Sequence, residues 1–89
     1  MLLVCRNKVA DYRRWWAVFE SHADAHRAAG LNLRDHWVSA DDPNEVFFLF
    51  SVDDRGRAEA FMATPQAAEG AEEAGVINGD FWFVLQSDG

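Results

Sequence analysis

Apolar positions along the chain alternate between the spacing of strands and the spacing of helices. The short run Leu2–Cys5 is apolar and ends at Arg6-Asn7-Lys8, which is typical of a buried strand. From there on, apolar side chains recur three and four positions apart, with Asp11 as a suitable N-cap and Gly30 as a suitable residue to follow a helix. The pattern therefore predicts a first strand and then a helix over about residues 11–29.

The rest of the pattern predicts a hairpin, an interrupted helix and a last strand. Residues 31–39 and Glu45–Val52 are β-like runs, separated by a turn segment rich in aspartate with one proline. A second helix is expected from Asp53 onward, with a break at Thr64-Pro65, where the residue types suit a new N-cap and first helical position. Phe81–Gln86 alternates again and predicts the last strand.

These elements follow one another in the order β-α-β-β-α-β, within one predicted domain over residues 1–89. This is the order of ferredoxin-like α+β folds, in which a four-stranded antiparallel sheet carries both helices on one face. Successive strand residues point to opposite faces, yet neighbours such as Phe48 and Leu49 are both apolar. Because an open apolar face of this size is rare on monomers, we expect a homodimer through that face, forming a dimeric α/β barrel.

Charge and cysteine content narrow the classes of partner. The net charge is −7 and the eight Lys and Arg residues are scattered, which argues against nucleic acid and against anionic membranes as partners. The apolar run at residues 2–5 is too short for a signal sequence or a membrane span. Cys5 is the single cysteine, so no intramolecular disulfide and no cysteine-based zinc site are expected. We therefore expect a cytoplasmic protein.

Four segments carry a resemblance to known proteins: Asp11-Tyr12-Arg13-Arg14-Trp15 with Phe19 and His22, residues 40–46, Ala58 with Phe61 and Pro65, and Ala74-Gly75-Val76. They resemble the dimeric α/β-barrel superfamily, and in particular small members near the antibiotic-biosynthesis-monooxygenase-like and stress-responsive groups. The superfamily includes cofactor-free quinone-forming monooxygenases, haem-degrading enzymes, lactone isomerases and polyketide cyclases. The resemblance implies a pocket between the helices and the sheet face that they cover.

One branch of that superfamily does not match this chain. Its haem-degrading members carry an iron-ligating histidine about ten residues after the aromatic residue that corresponds to Phe61. This chain has Ala71-Glu72 there, and no histidine follows His36. We therefore do not expect haem. No other cofactor is predicted.

His22 and His26 are the main candidates for chemistry. They lie four residues apart, on the apolar stripe of the first predicted helix, so both should face the sheet. Such a pair suits a transition metal with His36 or a carboxylate as a third ligand, but no zinc signature accompanies it and no metal site is predicted. It also suits imidazoles at the edge of the core. In a pocket, His22 would be the catalytic acid or base and His26 a ligand-binding residue, since imidazole exchanges protons near neutral pH.

Four further residues are candidates for ligand binding. Trp15 and Phe19 extend the apolar stripe, where their rings would either stack on a flat ligand or form ordinary core. Strict alternation puts Arg34 and His36 on one face of the second strand, either toward the pocket or toward solvent at the sheet edge.

Two classes of function remain open on the sequence. One is a homodimeric barrel that binds a small apolar or aromatic molecule, with His22 supporting a monooxygenase-like or a cyclase- or isomerase-like reaction without a cofactor. The other is a non-catalytic regulatory or structural dimer. The sequence does not decide whether the chain is an enzyme.

Overall fold

The computed structural model describes residues 1–87. Its elements are β1 (Leu2–Val9), α1 (Tyr12–Ser21), α2 (Ala23–Ala28), β2 (Leu31–Val38), β3 (Glu45–Val52), α3 (Arg55–Met62), α4 (Pro65–Glu73) and β4 (Val76–Val84). The strands form one antiparallel sheet in the order β2-β3-β1-β4. The predicted ferredoxin-like α+β order is confirmed, with each helical crossover made of two helices.

Helices α1, α3 and α4 begin where local side chains satisfy their first backbone N–H groups. Asp11 accepts a hydrogen bond from the backbone of Arg13 at 2.9 Å, Asp54 accepts one from Arg57 at 3.1 Å, and Thr64 accepts one from Ala67 at 3.2 Å. Each contact satisfies a donor that would otherwise lack an intrahelical partner. Pro65 then occupies the first turn of α4, as predicted.

The prediction of one continuous helix over residues 11–29 is wrong at His22. This residue has φ −99° and ψ 9°, and its N–H donates to the carbonyl of Phe19 at 3.1 Å rather than one residue further back. The Ser21 hydroxyl also donates to the carbonyl of Val18, at 2.6 Å. Such local bonds compete with the regular α-helical ladder, so α1 ends at Ser21 and α2 starts at Ala23.

The predicted ends of three strands also need correction. β1 continues through Arg6, Asn7 and Lys8 to Val9, and β4 begins at Val76 rather than at Phe81. The polar residues of β1 and β4 pair with one another, for example Arg6 with Asp80. At the other end, β4 ends at Val84 and not at Gln86, and β2 ends at Val38 and not at Ser39. Backbone pairing between neighbouring strands, rather than apolar content, sets these limits.

A β-bulge interrupts β2 at Arg34. Leu33 pairs with Phe50 and Asp35 pairs with Leu49, so Arg34 has no residue opposite it on β3. The bulge breaks the alternation that placed Arg34 and His36 on the same face. His36 pairs with Phe48, whereas Arg34 is exposed at the sheet edge.

The sheet has a helix-covered face and an open face. The buried strand residues of the helix-covered face include Leu3, Cys5, Leu31, Val46, Phe48, Phe50 and Val52. The apolar residues of the open face are Leu2, Val4, Trp37, Phe47, Leu49, Trp82 and Val84. Trp37 and Trp82 are 49% and 51% exposed. Both faces are therefore apolar, as the alternation predicted.

Two glycines should respond in opposite ways to the same substitution. Gly75 ends α4 with φ +75°, so Gly75→Ala should lower the free energy of unfolding by about 1–2 kcal/mol. Gly70 lies inside α4, and an added Cβ would meet its nearest neighbour at an ordinary 3.4 Å, so Gly70→Ala should raise that energy by about 0.5–1 kcal/mol. Urea unfolding at one chain concentration measures both. Equal shifts in the two variants would contradict the conformational argument.

Candidate functional site

A cavity of about 310 Å³ lies between the helix-covered face and the four helices. Its walls are mostly apolar, and they include Leu3, Trp15, Phe48 and Phe61. The polar side chains among its lining residues are Asn7, His22, His26, Gln66 and Asp80. Within residues 1–87, the lining includes neither lysine nor arginine. The cavity can therefore enclose an apolar molecule and offer it a few hydrogen-bonding groups.

His22 lines the cavity from the junction between α1 and α2, where it packs against α4. A Cβ atom added to Gly70 would lie 3.4 Å from Cε1 of the His22 ring, so the imidazole rests against bare backbone. Its Nε2 is 3.9 Å from Oε2 of Glu73. The His22 side chain is 28% exposed, so solvent can reach it, as a group that exchanges protons requires.

His26 lies deeper, among phenylalanine rings. Its ring centre is 4.9 Å from that of Phe19, 5.4 Å from that of Phe50 and 5.9 Å from that of Phe61. Burial, together with the smaller effect of a charge on nearby His22, lowers the pKa of His26 to about 4. His26 is therefore neutral at neutral pH, and its ring has one N–H donor and one nitrogen acceptor.

This lowered pKa makes stability depend on pH. The unfolded imidazole takes up its proton near 6.5 and the folded one near about 4, so the unfolded state binds more protons between these values. The contribution of neutral His26 to the free energy of unfolding is thus complete above about pH 6.5 and is lost as the pH falls through about 4. We expect a loss of about 1–2 kcal/mol over this window, after allowing for the partial exposure of the ring.

Urea unfolding of wild type, His26→Phe and His26→Gln at several pH values measures the effect. Both variants remove the titrating group, one with an aromatic and one with a polar side chain, and both should lose this part of the pH dependence. Asp42 also loses stabilisation in acid, because hydrogen bonds from Lys8 and from the Asn44 backbone lower its pKa. The quantity compared is therefore the difference in unfolding free energy between each variant and wild type at each pH. A difference that stays constant with pH would contradict the interpretation.

Asn7 and Gly79 meet at the β4 side of the cavity. A Cβ on Gly79 would clash with Oδ1 of Asn7 and lie 2.8 Å from the carbonyl oxygen of Arg6, so only glycine allows this packing. Sequence reasoning missed Asn7 because it ended the first strand at Cys5. The available signal was spacing, since Asn7 continues the alternation of Leu3 and Cys5.

Two of the predicted ligand-binding residues, Trp15 and Phe19, line the cavity. Trp15 is 1% exposed, and its ring centre is 4.9 Å from that of Phe19 and 5.5 Å from that of Phe48. Trp15 is thus both a core residue and part of the cavity wall.

The other two predicted residues, Arg34 and His36, do not line this cavity. His36 stacks on Trp16, with ring centres 4.2 Å apart, and Arg34 is at the bulge. Trp16 borders a second groove of about 420 Å³, which shares Phe19 and His26 with the cavity.

Other groups have limited reactivity. Burial raises the pKa of the Cys5 thiol to about 12, so it stays protonated and is a poor nucleophile. The described residues contain no cluster of three His, Cys, Asp or Glu side chains placed to hold a metal ion. None of the helices within residues 1–87 combines the length and the hydropathy needed to span a membrane.

Comparison with known proteins places this geometry in a structural context. Neither a protein-family model nor a curated protein matches the chain. A solved antibiotic biosynthesis monooxygenase aligns over 98% of this chain and 99% of its own, with a TM-score of 0.69 and 17% identity. An uncharacterized NIPSNAP domain protein from Burkholderia xenovorans aligns over 99% and 96%, with a TM-score of 0.67 and 16% identity.

A NIPSNAP family protein of unknown function from Agrobacterium tumefaciens aligns over 91% of this chain and 82% of its own, with a TM-score of 0.65 and 11% identity. Likeness at such low identity concerns the path of the backbone and not the chemistry of the site. The chain therefore has the ferredoxin-like α+β fold of antibiotic biosynthesis monooxygenase and NIPSNAP domain structures.

Proposed function

We propose that the protein binds a small, uncharged, apolar or aromatic molecule in the cavity and that His22 exchanges a proton with it. The observation that carries this proposal is the convergence of His22 and His26 on one apolar cavity of about 310 Å³. This volume is near the lower end of ligand pockets, so the ligand is compact. The proposed reaction is of the type that a monooxygenase, a cyclase or an isomerase catalyses without a cofactor.

The two imidazoles would have different roles. The neutral ring of His26 would fix the orientation of a polar group on the ligand by hydrogen bonding. His22, which is more accessible and has a carboxylate nearby, would take up and return the proton. The lack of lysine and arginine among the described lining residues disfavours anionic ligands, since a buried charge needs a partner.

We further propose that the active form is a homodimer, joined through the open face. The open face has an apolar centre around Val4 and Leu49, which are direct cross-strand partners. Charged residues lie toward one end, where Arg6 and Asp80 are 3.8 Å apart and Lys8 pairs with Asp42. An apolar centre with a polar margin is the usual composition of a protein interface. The negative charge of the chain and its single buried cysteine support a cytoplasmic location without nucleic-acid or membrane partners.

The neutral, bicyclic and enolisable ketone 2-tetralone is a suitable probe of this proposal. In D₂O, NMR measures its binding and also the exchange of its acidic C–H for C–D. In that exchange, the C–H proton passes to His22 and its electron pair stays on the ligand as an enolate. Solvent then replaces the proton on the ring by a deuteron, which returns to carbon.

The expected result is that wild type binds 2-tetralone and accelerates its exchange. His22→Ala should lower the exchange rate at least about tenfold, within the range that acid–base groups contribute. His26→Ala should mainly weaken binding, whereas Glu69→Ala, exposed on α4, is the control and should change neither. Binding without His22-dependent exchange would support the non-catalytic alternative. An absence of binding in the cavity would overturn the proposal.

A further inference from the structure

Helix α4 contacts His22 through two residues one helical turn apart. Gly70 weakens the middle of the helix relative to alanine, yet it provides the bare surface on which the imidazole rests. A Cβ there would lie 3.4 Å from Cε1, 3.6 Å from Nδ1 and 3.9 Å from Nε2 of His22. Glu73 is three residues further on and approaches Nε2 of the same ring at 3.9 Å. The two residues thus contact adjacent parts of one imidazole.

We propose that Gly70 and Glu73 form a seat on α4 that positions His22 and directs its proton to Nε2, leaving Nδ1 free to accept a proton. This inference rests on the acid–base role proposed for His22. Gly70 and Glu73 are positioning residues, because they act through the imidazole and not on the ligand.

Electrostatics explains the part played by Glu73. A carboxylate beside Nε2 favours the tautomer that carries its proton there, as carboxylates do for catalytic and metal-binding histidines. When Nδ1 then accepts a proton from a ligand, the positive charge of the ring faces Glu73, which stabilises it. Among the described residues, Glu73 provides the only ion-pair contact of His22, while His26, the other imidazole close enough to act on it, is uncharged at neutral pH.

A purely structural role for this pair is a weaker explanation. The Glu73 side chain is 66% exposed and the separation exceeds hydrogen-bond length, so the contact adds little to folding stability. Contacts of this length can shorten when a ligand excludes water from the site. The influence of Glu73 should therefore be found in the protonation pattern of the ring and not in the melting temperature.

The first test measures the tautomer of His22 in the free protein. Long-range ¹H–¹⁵N spectra at about pH 8.5, where free imidazole is neutral, distinguish a proton on Nδ1 from one on Nε2. Glu73→Gln should reduce the ratio of the Nε2–H to the Nδ1–H form about two- to fivefold, as expected for a partly screened carboxylate. Glu72→Gln, an exposed neighbour on α4, is the matched control and should leave the ratio unchanged.

The second test removes the bare surface at residue 70. Gly70→Ala should keep the ring in place, because its Cβ would reach only ordinary contact distance. Gly70→Leu should displace the ring, with loss of the nuclear Overhauser contacts between His22 and α4 and a fall of at least about tenfold in 2-tetralone exchange. Circular dichroism checks that both variants fold. If the Gly70→Leu protein folds and keeps these contacts, the seat is refuted.

The two proposals can fail separately. If Glu73→Gln changes the tautomer ratio but 2-tetralone neither binds nor exchanges, the seat is supported and the proposed function fails. If wild type exchanges 2-tetralone and Glu73→Gln changes neither the ratio nor the rate, the proposed function is supported and the seat is overturned.

Discussion

Leu49→Lys should convert a dimer into a monomer. Leu49 lies at the centre of the open face, opposite Val4, and a two-fold interface there would bury the residue once in each copy. An unpaired lysine in an apolar interface is strongly unfavourable, so we expect the dissociation constant to rise at least about 100-fold, which corresponds to about 2.7 kcal/mol. Size exclusion with light scattering at several chain concentrations measures the change directly.

The control for this experiment is Ala60→Lys, which adds the same charge to an exposed position of α3, away from the open face. It should remain as dimeric as wild type. Circular dichroism should show that Leu49→Lys keeps its secondary structure, since β3 retains its neighbours β1 and β2. A wild-type chain that is monomeric at micromolar concentration would refute the dimer, and a dimeric Leu49→Lys protein would place the interface elsewhere.

Trp15→Ala should cause the largest loss of stability of any single change considered. Trp15 is 1% exposed and its ring contacts those of Tyr12, Trp16, Phe19 and Phe48. Replacing a buried tryptophan by alanine costs about 3–5 kcal/mol, because it combines lost burial with an unfilled cavity. Small domains are stable by only about 5–15 kcal/mol, so the loss is a large part of the total.

Urea unfolding without ligand and at a fixed chain concentration measures this effect, since any dimerisation would make stability depend on concentration. Trp16→Ala is the comparison, because the neighbouring Trp16 is only partly buried and should lose about 1–2 kcal/mol. Similar losses in the two variants would show that Trp15 is not the centre of the core. Trp15 would then be better regarded as a ligand-binding residue.

Much of the fold could be predicted because its signals are local. The caps at Asp11 and Thr64 act on N–H groups two or three residues away, and the positive φ angles of Gly30 and Gly75 need no distant partner. The alternation along β3 is equally local, since successive side chains must point to opposite faces. This is why the two apolar faces of the sheet were predicted correctly.

The extents of the strands could not be predicted with the same accuracy, because they depend on pairing across the sheet. Arg6 looks like the end of a strand when only its neighbours in sequence are considered. In the fold it pairs with Asp80, a residue far away in sequence, and its side chain bonds to Asn78 at 3.1 Å. The bulge at Arg34 likewise depends on how β2 aligns with β3.

The distinction between local signals and contacts between distant segments also applies to the candidate site. Helical spacing alone brought His22 and His26 together, and both line the cavity, although the helix breaks at His22 and only His26 lies within α2. Of the remaining components, Asn7 continues the local alternation of Leu3 and Cys5, whereas no local pattern distinguishes Gly70 and Glu73. The contacts of Gly70 and Glu73 with His22 exist only once α4 packs against the end of α1.

The order of elements, the helix caps at Asp11 and Thr64 and the apolar character of both sheet faces follow from the amino-acid sequence alone, because each depends on residues close together along the chain. Tertiary structure alone decided the limits of β1 and β4, the position of Arg34, and the neutral state of His26 among Phe19, Phe50 and Phe61. Those features follow from contacts between distant segments and from the exclusion of water that such contacts produce.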